Sequence, residues 1–122
     1  MNDLDHKPGP RPAASYALLY PGLAGIARGL GYALTLHGSM NRDMDLVAIP
    51  WIEEAASAEE LAAAICKAVD GFTEWDTHPG FQKPHGRRCW LIWFKGIDIV
   101  LGGNAYIDLS VMPRTCDLER GK

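Results

Sequence analysis

The chain has 122 residues, 48% of them hydrophobic, and carries 12 Lys and Arg against 15 Asp and Glu for a formal charge of −3. That length and apolar content suit one domain with a small core, and the acidic balance argues against general nucleic-acid coating, which needs a basic face. No apolar run approaches the roughly 20 residues that span a bilayer, and Cys66, Cys89 and Cys116 are too widely spaced for a CxxC pair or a disulfide framework.

Residues 1–15 contain Asp3, Asp5 and three prolines, with no apolar segment of the kind a signal peptide needs. They are expected to form a flexible tail, and cytoplasmic residence is the expectation. Residues 16–114 read as the folded domain and residues 115–122 as a C-terminal tail. The three cysteines are expected to be buried or idle reduced thiols.

The first element is a helix over residues 21–30. Pro21 suits a first helical turn because its missing N–H has no partner to lose there. Leu23, Ile26, Ala27 and Leu30 recur at i, i+3, i+4 and i+7 and give one apolar stripe. Gly29 and Gly31 end it. An earlier start, near Ala17 with Pro21 inside the helix, is the alternative.

Two strands follow, over residues 32–36 and 43–49, the second ended by Pro50, which cannot donate to a ladder. Ser57 and Glu60 form a capping box, and the helix it opens runs to Val69, where Asp70-Gly71 stops it. Leu61, Ala64, Ile65, Ala68 and Val69 mark its inner face. Residues 72–86 read as one long loop, of a length that is usually functional or mobile. An aromatic-rich strand over residues 87–94 and another over residues 105–112, stopped by Pro113, complete the pattern. Residues 97–101 are a further strand candidate, with Gly102-Gly103-Asn104 as its hairpin turn. The order gives an α+β domain, a mixed sheet of four or five strands backed by two helices on one face.

The chemistry gathers between the first two strands, in His37-Gly38-Ser39-Met40-Asn41-Arg42-Asp43-Met44-Asp45-Leu46-Val47. Strand side chains alternate, so Asp43 and Asp45 share a face, with Cβ atoms roughly 6.5–7 Å apart, while Met44 and Leu46 point the other way. Paired carboxylates beside a glycine turn suit divalent cations and phosphates. Gly38-Ser39 followed by Asp43-x-Asp45-Leu46-Val47 resembles the nucleotidyltransferase superfamily, the DNA polymerase β-like fold, over residues 32–113. The spacer of three residues between Ser39 and Asp43 is shorter than is usual in that family.

The resemblance implies an enzyme that moves a nucleoside monophosphate from a nucleoside triphosphate to a hydroxyl acceptor. It implies that Gly38, Ser39 and Arg42 bind nucleotide, and that Asp43, Asp45 and a third acid on a later strand hold two Mg²⁺ or Mn²⁺ ions. Asp108 is favoured as that acid because Tyr106, Asp108 and Ser110 alternate with Ile107, Leu109 and Val111, and Asp within a strand asks for a reason. Asp98 is the competitor. A partner protein or a homodimer would supply the acceptor surface that so short a chain lacks. Two other readings use the same acids: a non-catalytic metal- or nucleotide-binding regulatory module, and a metal-dependent phosphohydrolase. Arg42 alternatively pairs with Asp43 or Asp45. Lys83, His85, Arg87 and Arg88 form a basic cluster that suits either a solvated face or a triphosphate. Trp75 is the best candidate for base stacking, and Trp90 is expected in the core.

Overall fold

A computed structural model describes residues 13–38, 43–73, 81–82, 84–95 and 104–120. The first helix, α1, spans Ala13–Gly29 with Pro21 inside it. It starts well before Pro21, and before the alternative start near Ala17 as well. The reason lies in packing. Tyr16 and Leu23 are buried on the stripe that Leu19 and Tyr20 flank, and Ala27 continues it. Tertiary burial of a stripe on both sides of the proline offsets the local cost of a lost helical hydrogen bond, about 3 kcal/mol. The Tyr20 hydroxyl donates to the Leu34 carbonyl at 2.6 Å, which ties the helix to the next strand.

Gly31 follows with φ +94, and a Cβ there would lie 2.7 Å from Ala55 Cα. Only glycine fits that junction. Strand β1, Tyr32–His37, then pairs antiparallel with β2, Met44–Pro50. Helix α2 spans Ala58–Ala68, and both hydrogen bonds of the capping box are present, Glu60 N–H to Ser57 Oγ at 3.1 Å and Ser57 N–H to Glu60 Oε1 at 3.0 Å. Its buried face is Ala58, Leu61, Ala62 and Ile65. Ala68, expected on that face, is exposed, because α2 meets the sheet through its first two turns.

The expected long loop over residues 72–86 is in fact partly ordered as sheet. Strands β3, Phe72–Thr73, and β4, Phe81–Gln82, both pair antiparallel with the outer edge of β5, Arg88–Lys95, and a 3₁₀ turn at Pro84–Gly86 leads into it. Runs of two residues have no readable periodicity; the open edge of a long neighbour supplies their hydrogen bonds. Strand β6, Asn104–Val111, pairs antiparallel with β5 and parallel with β2. The strand order is β1-β2-β6-β5-β3, a mixed sheet, with β4 also on β5.

The C-terminal residues expected to form a tail instead carry a third helix, α3, at Thr115–Arg120. The Asp117 carboxylate accepts from the Arg114 backbone N–H at 2.9 Å and from its guanidinium at 2.8 and 3.0 Å, while Arg114 NH1 donates to the Ala55 carbonyl at 3.2 Å. Among the described residues, no helix is long and apolar enough to cross a membrane. The hairpin candidate over residues 97–101 and Asp98 lie outside the described residues.

Alternation divides the sheet. Met44, Leu46 and Ala48 of β2, Ile107, Leu109 and Val111 of β6, and Trp90, Ile92 and Phe94 of β5 are buried in one core with Leu23 and Ala27 of α1 and Leu61 and Ile65 of α2. Trp90 is therefore a core residue, as expected. The opposite face carries Asp45, Tyr106 and Asp108, each half-buried.

Candidate metal centre

Parallel pairing of β2 with β6 sets Asp45 directly beside Asp108, and the same register sets Met44 beside Ile107 in the core. Asp43 precedes β2 by one residue and returns to the face of Asp45. One carboxylate oxygen from each of Asp43, Asp45 and Asp108 lies within 4.8 Å of the others. At that separation each pair of charges repels by about 3.5 kcal/mol at an effective dielectric of about 20, and by about 0.9 kcal/mol in bulk water. Three such pairs on a half-buried face rival the net stability of a small domain, about 5–15 kcal/mol. A proton or a cation relieves them.

Asp45 shows the effect. Burial first, then a hydrogen bond shared with Asp43 and the charges of Asp43 and Asp108, push its carboxyl up to about 6. His37, paired with Asp45 across β1 and β2, pulls the other way. The Tyr106 phenol is raised by burial first and then by the charges of all three carboxylates, Asp43 foremost among them. Its ring lies 4.7 Å from that of Trp93, tilted by 37°.

Gly38 belongs to the site in an unexpected way. Its φ is +79, and a Cβ there would lie 2.5 Å from Asp45 Oδ2. The glycine leaves room for a carboxylate, on the strand opposite, to sit against the backbone. Ser39 and Arg42 lie outside the described residues, as do Lys83 and Trp75. Asp108 meets the pair, while Asp98, the other candidate for the third acid, lies outside the described residues.

The basic cluster divides. Arg88 donates to Glu59 at 2.7 Å and lies over the Trp90 ring, 5.0 Å from its centroid, on the helix side of the sheet. Arg87 turns to the acidic face, where NH1 donates to the Ser110 hydroxyl at 3.2 Å. His85 is exposed on the 3₁₀ turn. All three cysteines are free thiols; Cys89 is buried, with Sγ 2.9 Å from Ser110 Oγ.

Sequence reasoning did not single out Tyr106 as a neighbour of the three acids. Its place on the same alternating face as Asp108 was the available signal. No protein-family model matches the chain, and no curated protein matches it.

Proposed function

We propose that the chain is a minimal magnesium-dependent nucleotidyltransferase that moves a nucleoside monophosphate from a nucleoside triphosphate to a hydroxyl acceptor. The observation that carries the reading is the convergence of Asp43, Asp45 and Asp108 within 4.8 Å on the face of the sheet opposite the helices. Hard carboxylate oxygens in such a cluster suit Mg²⁺ or Mn²⁺, and a dication favours the charged form of Asp45 that its surroundings disfavour. Bound there, the ions would polarise a phosphoryl oxygen and offset charge on the leaving group.

The chain's own residues hold and orient. Asp43, Asp45 and Asp108 are the proposed metal ligands and catalytic carboxylates. Tyr106 lies on the same face beside the acids, and Gly38 admits Asp45. Gly38, Ser39 and Arg42, which lie between β1 and β2 in the chain, are the proposed nucleotide contacts. In the reaction the acceptor oxygen bonds to the α-phosphorus as the bond to the bridging oxygen breaks. Pyrophosphate leaves with that electron pair, and the acceptor proton passes to water. A second copy or another protein completes the acceptor surface.

The test incubates the protein with each labelled nucleoside triphosphate, Mg²⁺ and candidate hydroxyl acceptors. The expected result is pyrophosphate together with a labelled acceptor, both lost in Asp45→Asn. Free nucleotide without a labelled acceptor would indicate a phosphohydrolase. Metal binding without nucleotide binding would indicate a regulatory module.

A further inference from the structure

Arg87 is a feature of the acidic face that the transfer reading does not use. It is half-buried, and its NH1 is held by Ser110, a residue only 6% exposed that is fixed in turn by Cys89 Sγ at 2.9 Å. Arg88 is paired with Glu59 and Arg114 with Asp117, whereas the contact that holds Arg87 is to a neutral hydroxyl. A guanidinium has five N–H donors in a fixed fork, and the Ser110 bond occupies one nitrogen.

Its position along the sheet gives it a direction. On β6 the acidic face runs Tyr106, Asp108, Ser110, and two residues of strand advance about 6.6 Å. Asp43 and Gly38 lie toward the Tyr106 end, where β1 turns into β2; Arg87 lies beyond Asp108 at the other end. Gly38, the nucleotide contact of the transfer reading, marks that end as the triphosphate's. In-line displacement puts the attacking and leaving oxygens on opposite sides of the phosphorus. If pyrophosphate departs toward the turn, the acceptor enters from the Arg87 end.

We propose that Arg87, oriented by Ser110, binds an anionic group of the acceptor, so that the acceptor is a small hydroxyl compound bearing a phosphate. This rests on the transfer reading. Arg87 recognises substrate there and Ser110 positions it. The acidic balance of the chain fits a compact anion gripped at one point, in preference to a long polyanion.

Binding decides it in two steps. The full chain is first saturated with Mn²⁺ and a non-hydrolysable nucleoside triphosphate, each followed by calorimetry, and then titrated with inorganic phosphate as the probe of the acceptor end. The wild type is expected to bind phosphate in addition to the triphosphate. Arg87→Ala should weaken that step by about tenfold or more, Arg87→Lys by less, and Ser110→Ala by an intermediate factor. All three should still unfold cooperatively and keep wild-type Mn²⁺ affinity. Failure of the triphosphate to bind would overturn the transfer reading, and this proposal with it. Triphosphate binding with no phosphate step, or a phosphate step equal in Arg87→Ala, would overturn this proposal alone. Arg87→Ala weakening the triphosphate instead would assign Arg87 to the leaving-group end, which also overturns it.

Discussion

Asp45 is pushed up to about 6, by burial first and by its acidic neighbours second, so the metal-free folded protein keeps a proton there that the unfolded chain, at 3.8, has released. Between those two values the native state binds more protons, and stability falls as pH rises through the window. The metal-free protein is therefore expected to melt at a higher temperature at pH 5 than at pH 7, and Asp45→Asn should flatten that difference. Saturating Mn²⁺ should reverse the trend, because the ligand is the deprotonated carboxylate. Thermal melts across pH, with and without Mn²⁺, check both statements. Gly38→Ala forces a side chain into a left-handed backbone, which costs about 1–2 kcal/mol, and drives its Cβ into Asp45. It should lower stability and Mn²⁺ affinity together. Gly31→Ala meets Ala55 far from the acids and should lower stability alone; a chelator-based Mn²⁺ titration of the two variants separates the effects.

Among the elements, α2 is the one whose start is written most directly in the chain. Ser57→Ala removes a cap worth about 1 kcal/mol and should lower the melting temperature with Mn²⁺ affinity unchanged, since α2 packs on the far side of the sheet from the acids. Loss of metal binding in that variant would contradict the layout. Alternation was equally legible: Met44 and Leu46 inward with Asp45 outward, and Ile107 and Leu109 inward with Asp108 outward, follow from a period of two. The elements that escaped the sequence are those fixed by distant partners. The start of α1 depends on Tyr16 finding the core across a proline. β3 and β4 exist because β5 offers an edge, and α3 because Arg114 reaches Ala55 and Asp117. None of these has a local signal as strong as a capping box.

At the scale of the molecule, the site depends on one long-range decision, the parallel pairing of β2 with β6. Nothing local in either strand specifies it; Asp45 and Asp108 are 63 positions apart in the chain and adjacent in the sheet. A slip of one residue would turn Asp108 into the core and Leu109 outward, so the apolar pattern holds the register that brings the acids together. The same pairing sets the polarity of the face, from Gly38 and Tyr106 at one end to Ser110 and Arg87 at the other. The claim on which this rests is that the three acids are one cation site. Titrating Mn²⁺ into the wild type and into Asp108→Asn, with the melting temperature as readout, tests it most directly. Binding to the folded state alone at a hundredfold excess over Kd stabilises by about 2.7 kcal/mol, so the account predicts a clear rise in the wild type that is largely lost in Asp108→Asn. A wild-type melting temperature indifferent to millimolar Mn²⁺, or an undiminished rise in Asp108→Asn, would contradict it.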